Sequence, residues 1–109
     1  MIVIVREIFP NQKIVLEHNV AKTGSLFVDI FLPQLMIAFE YDGEQHFTYS
    51  EHFHGSQEAF RASKRRDTTK SIRCIELGIT LVRVRFDDKL TKDLVVEKLQ
   101  QALDNKEEE

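Results

Sequence analysis

The stretch LFVDIFLPQLMIAFEYDG, residues 26–43, decides the fold. It holds two apolar runs, 26–32 and 35–41, broken at Pro33-Gln34, and each run has the length and composition of one strand of a β-hairpin. Proline cannot take the positive φ of a type I′ turn, so the expected connection is a four-residue loop around a type I turn with Pro33 at its second position. The register expected from that loop pairs Phe31 with Met36, Asp29 with Ala38 and Phe27 with Glu40. Side chains alternate across a strand, which puts Asp29, Ala38, Glu40 and Asp42 on one face. Asp29 and Glu40 are then diagonal neighbours with Cα atoms roughly 7–8 Å apart, close enough for two carboxylates to share one ion.

Outward from the hairpin, residues 12–20 read as a strand entered through Phe9-Pro10-Asn11, and the first eight residues fit either a strand or a short helix. Residues 42–55 form a polar, aromatic loop, longer than a mere connection requires. Ser56 is the expected N-cap of a helix over 57–77 that stops at Gly78. A strand follows over 79–86. A last helix, about 89–104, carries Leu90, Leu94, Val95, Leu99, Ala102 and Leu103 as an apolar stripe for the sheet. With no internal repeat or linker, the expectation is one α/β domain over 1–106 with a mixed central sheet flanked by helices, and an acidic tail at 107–109.

The chain has 109 residues, 15 Lys+Arg and 18 Asp+Glu, for a net charge of −3. That length leaves no room for a second domain or a large cofactor-binding fold. No apolar stretch approaches a membrane span and no secretory leader is evident, so the expected setting is intracellular and cytoplasmic, in a bacterium or a phage-infected host, with no membrane partner. Lone Cys74 excludes an intrachain disulfide and reads as a core residue. The acidic balance disfavours nucleic acid only until the charges are placed. Between Arg61 and Arg85 lie eight basic and two acidic residues, while the remainder of the chain is acidic. Lys64, Arg65, Arg66, Lys70 and Arg73, on the long helix, are the candidate DNA-binding residues.

Asp29 and Glu40 each sit in an otherwise apolar strand, and burying such groups without a partner costs several kcal/mol. A divalent cation held by carboxylate oxygens, Mg²⁺ or Mn²⁺, would compensate them. Salt bridges to Arg83 or Lys70 would do so as well. His46, His52 and His54 admit a zinc reading, which a single cysteine supports poorly. Tyr41, Phe47, Tyr49 and Phe53 suit base stacking or packing of the loop.

The ordered set Asp29, Glu40-Tyr-Asp42-Gly-Glu-Gln45-His46, Arg66-Asp67-Thr-Thr-Lys70, Cys74 and Gly78-Ile-Thr-Leu81-Val-Arg83 resembles the PD-(D/E)XK nuclease superfamily. Within it, the chain looks most like very-short-patch repair endonucleases and small phage and homing endonucleases with a D…ExDGxQH motif, over residues 12–86. The resemblance implies a restriction-endonuclease-like fold and a Mg²⁺-dependent endodeoxyribonuclease. It implies Asp29 as the central metal ligand, Glu40 as the second acid and Asp42 as a further ligand. His46 would be the general base, its ordinary pKa near 6.5 suiting that role, and Gln45 would orient the water. Asp42 stands where the superfamily has lysine, and Lys64 or Lys70 would replace that cation. In many relatives an N-terminal helix brings a glutamate to the metal; here that helix is expected to be short, with Glu7 its nearest counterpart.

The reaction expected is hydrolysis of a DNA phosphodiester bond, by nicking or double-strand cleavage, in a monomer or a homodimer. The alternatives are a structure-selective nuclease such as a Holliday junction resolvase, and a non-catalytic DNA-binding module that keeps the fold.

Overall fold

The computed structural model describes residues 1–43 and 56–108. Its elements are α1 (Ile2–Ile8), β1 (Val15–Asn19), β2 (Phe27–Leu32), β3 (Ile37–Asp42), α2 (Gln57–Leu77), β4 (Thr80–Arg85) and α3 (Lys92–Glu108). The sheet runs in the order β1-β2-β3-β4, with β1, β2 and β3 an antiparallel meander and β4 parallel to β3. The expected α/β architecture with a mixed four-stranded sheet is therefore present.

Local chemistry explains the helix limits. Ser56 is extended and its Oγ accepts a hydrogen bond from the Ala59 N–H at 3.1 Å. Gly78 ends α2 in the left-handed region at φ 74°, where its N–H reaches the Cys74 and Ile75 carbonyls. Helix α3 starts three residues later than expected because Thr91 caps it, its Oγ1 accepting from the Leu94 N–H at 3.2 Å. The N-terminal segment, open to either reading from sequence, is a helix that buries Val5 and closes with the Phe9 N–H on the Val5 carbonyl.

Two apolar clusters sandwich the sheet. Helices α1 and α3 cover one face, where Val5, Val95 and Leu99 pack with Ile30, Leu32, Ile37, Phe39 and Val82. Helix α2 covers the other, where Cys74 packs with Val20, Val28, Phe31, Ala38 and Ile79. Ala38 lies on the α2 side and its neighbours Ile37 and Phe39 lie on the α3 side, which is the alternation expected of β3.

The hairpin register differs from expectation by two residues. The observed pairs are Ile30↔Phe39, Phe31↔Ala38 and Leu32↔Ile37. The turn does use Pro33 as its second residue, with the Leu35 N–H on the Leu32 carbonyl at 3.2 Å, but Met36 adds a left-handed residue at φ 55°. Leu35 and Met36 are thus spent in the turn, and β3 begins at Ile37. A slip of two preserves which face each residue takes. Continuing the count sets Asp29 opposite Glu40 rather than Ala38.

Gly78 is a clean test of this backbone. A Cβ there would meet no atom within 4 Å, so only the left-handed conformation opposes it. Gly78→Ala should lower unfolding free energy by about 1 kcal/mol in urea melts; an unchanged midpoint would show that α2 ends in another way.

Candidate functional site

Glu40 is the centre of the site. It is 5% exposed, and its Oε1 accepts a 2.6 Å hydrogen bond from Lys70 Nζ on α2. Arg83 Nη1 of β4 lies 3.3 Å from Oε2, yet Oε2 is buried without an aligned hydrogen bond. Arg83 is a fork shared by several partners. Its Nη1 donates to Asp42 Oδ1 and Oδ2 at 3.0 and 3.2 Å. Its Nη2 donates to Ser71 Oγ at 2.9 Å and to the Asp67 carbonyl at 3.1 Å. Burial pushes the Glu40 carboxyl above its ordinary range, the Lys70 ammonium and Arg83 pull it back, and the nearby Asp29 carboxylate pushes it further up. Burial likewise raises the Cys74 thiol, as suits a core residue.

Asp29 occupies an interruption in the sheet. Pairing of β1 with β2 runs through Val15↔Phe31 and Leu16↔Ile30, skips Glu17 and Asp29, and resumes at His18↔Val28 and Asn19↔Phe27 in the same register. Glu17 has φ 50°, uncommon for a residue with a Cβ. On the other side, the Tyr41 N–H donates to Asp29 Oδ2 at 2.9 Å, so a side chain stands in for the strand's own carbonyl. The same irregularity turns Val28 toward α2, beside Phe31, where strict alternation would put it with Ile30 and Leu32. Asp29 is itself exposed.

The structure thus joins Glu40 and Asp42 through Arg83 and sets Lys70 on Glu40, while Asp29 lies near enough to act on the Glu40 charge and takes its hydrogen bond from the Tyr41 N–H. The salt-bridge alternative raised from sequence is realised at Glu40, with both Lys70 and Arg83 taking part. Gln45 and His46, together with Phe47, Tyr49, His52, Phe53 and His54, lie outside the described residues. Among the described residues no group of three or more His, Cys, Asp or Glu side chains is arranged to hold a metal. Helix α1 packs on the opposite face of the sheet from Glu40, with Glu7 exposed. Of the helix cations, Arg65 and Arg66 are exposed. Lys70 turns in to Glu40, Arg73 Nε donates to the Val20 carbonyl at 2.7 Å, and Lys64 Nζ sits 5.7 Å from the centre of the Phe60 ring. Sequence reasoning weighed Arg83 as a possible counter-ion and missed its fork. The signal was an arginine on the α2 face of an apolar strand, where a buried carboxylate must answer it.

Three viral proteins are similar to this chain. Uncharacterized protein 307L of Invertebrate iridescent virus 6 is 37% identical over 62 residues, 57% of this chain and 32% of that protein. Uncharacterized protein 033L of Invertebrate iridescent virus 3 is 31% identical over 83 residues, 76% of this chain and 43% of that protein. Uncharacterized protein 094L of Frog virus 3 is 36% identical over 63 residues, 57% of this chain and 41% of that protein. The chain therefore spans less than half the length of each. No family model and no solved structure matches it. No helix among the described residues is long and apolar enough to cross a membrane.

The pH dependence of the ion cluster follows from the raised Glu40 carboxyl. Such a group favours the fold while protonated and loses that contribution as pH rises through its folded-state pKa, so ionised Glu40 depends on its cations at neutral pH. In metal-free buffer, Lys70→Met should cost about 3 kcal/mol at pH 8, the scale of a broken buried ion pair, and clearly less at pH 5. Equal losses at both pH values would show that Lys70 contributes packing rather than charge.

Proposed function

We propose that the chain is a metal-dependent DNA endonuclease with a restriction-endonuclease-like fold. The observation that carries the proposal is buried Glu40, whose Oε2 lacks an aligned hydrogen bond, near exposed Asp29 at a break in the pairing of β1 with β2. Backbone irregularity of this kind is costly and concentrates at functional sites. The mixed sheet with helices on both faces agrees with the fold that the motif implies.

The donor set suits Mg²⁺ or Mn²⁺. Mg²⁺ is commonly held by one or two carboxylates, water and substrate phosphate, and needs no cage of protein ligands. Among the described residues, Asp29, through the oxygen not bonded to Tyr41, and Glu40, through Oε2, offer two oxygens to the ion. Asp42 adds negative charge beside them and is held by Arg83. When bound, the ion supplies a more acidic water and neutralises charge on the phosphate oxygens. The protein's own groups do the remainder. Lys70 replaces the lysine of the usual motif, its Nζ beside Glu40, where it would meet a phosphate oxygen. His46 takes the proton of the attacking water and Gln45 orients that water. Arg65 and Arg66, exposed on α2, grip the DNA backbone in either a monomer or a dimer.

A non-catalytic DNA-binding module is the second reading, and a specific observation favours it: Lys70 and Arg83 already compensate Glu40 and Asp42. Calorimetric titration with Mn²⁺ separates the two, since the nuclease should bind the ion and the module should give no heat.

Purified protein should nick or cut plasmid DNA with Mg²⁺ or Mn²⁺ and stop in EDTA. Asp29→Asn and Glu40→Gln should each slow cleavage by about 10²–10³-fold, the range for loss of one electrostatic contact to a transition state. Cleavage by Asp29→Asn at the parental rate would remove Asp29 from the chemistry.

The grip on the backbone has its own measurement. Arg65→Ala/Arg66→Ala should weaken DNA binding and reduce the slope of log K against log salt by up to about two; an unaltered slope would place the DNA on another surface.

A further inference from the structure

A cavity of about 160 Å³ adjoins the ion cluster, between the start of β2 and α2. Ser63, Arg66, Asp67 and Lys70 form one wall, spaced i, i+3, i+4 and i+7 as a single helix face. Leu26 and Phe27 form the other. That second wall is held in place from both sides. Asn19 Oδ1 accepts from the Leu26 and Ala21 N–H groups, each at 3.0 Å, and Asn19 Nδ2 donates to the Gly24 carbonyl. From α2, Arg66 Nη2 reaches the Ser25 carbonyl at 3.4 Å. Phe27, two residues before Asp29, is 48% exposed. Lys70 lines the cavity and also holds Glu40, so the cavity and the acids share a wall.

Size and chemistry restrict what can enter. Pockets for whole ligands run to about 300–1,000 Å³, so this one takes a single phosphate or one ring. Its lining joins two cations, one carboxylate and a hydroxyl to a half-exposed aromatic, and the excess positive charge and the aromatic are the two kinds of contact that one nucleotide takes. We propose that the cavity holds the phosphate of one unstacked nucleotide beside the cleaved bond, on Arg66 and Ser63, while the base stays outside it, stacked on the exposed Phe27 at its edge. The inference rests on the nuclease reading and narrows its substrate. In an intact duplex both faces of an internal base are covered by its neighbours, so stacking on Phe27 requires unstacking it there and costs least where a base is already unpaired. The preferred DNA is then single-stranded, flapped, branched or mismatched at the cut.

Binding measured in EDTA tests this without cleavage. By fluorescence anisotropy, wild-type protein should bind a labelled single-stranded oligonucleotide more tightly than the same sequence as a blunt duplex. Phe27→Leu should weaken single-strand binding about tenfold with its salt slope unchanged, and leave duplex binding as it was. Phe27→Trp should restore it. Arg66→Gln should lower the single-strand salt slope by about 0.7. The subsite alone is overturned if Phe27→Leu binds the single strand like wild type, or if it weakens the duplex equally. If wild-type protein binds neither DNA, the nuclease reading fails with it.

Discussion

Glu40 carries a negative charge into the interior of a small sheet, and the arrangement around it follows from the need to answer that charge. Its two oxygens draw Lys70 from α2 and Arg83 from β4, so one carboxylate ties the central strand to a helix and to the neighbouring strand. Arg83 extends the connection to Asp42, Ser71 and the Asp67 carbonyl. A buried charge of this kind is a poor stabiliser when compared with an apolar pair, because desolvation consumes most of the attraction. Its persistence in β3, where Ile37, Ala38 and Phe39 show what the position would otherwise hold, agrees with a role beyond folding.

The sheet divides the labour between its faces. The α1 and α3 side is apolar and supplies the larger cluster. The α2 side is apolar only as far as Ala38 and Cys74; beyond them the same helix turns from packing to charge, with Lys70 and Arg66 following toward its N-terminal end. One helix thus anchors the sheet through Cys74, compensates the acids through Lys70, and presents cations to solvent through Arg65 and Arg66. Phe27 lies on this side as well, lining a cavity with Lys70, which places an exposed aromatic beside the ion cluster.

Much of this was legible in the residues. The Ser56 and Gly78 caps bounded α2 correctly because capping is local chemistry, decided within four residues of the cap. That Glu40 and Asp42 share a face was legible because a period of two survives any even slip in register. The slip itself was not legible: nothing in Leu35-Met36 distinguishes a strand start from a turn end, since methionine seldom takes φ near 55° and does so here to close the hairpin. The start of α3 was misjudged for a related reason, as Leu90 extends the apolar stripe while Thr91 supplies the cap.

By itself, the order of residues determined the element types, the apolar faces and the presence of two acids on one side of a hairpin, because periodicity and capping act over a few residues. Only the tertiary structure decided which cations answer those acids. Lys70 is thirty residues from Glu40 and Arg83 is forty-one from Asp42; a partner at that distance is chosen by how α2 and β4 pack on the sheet, and no local pattern encodes it.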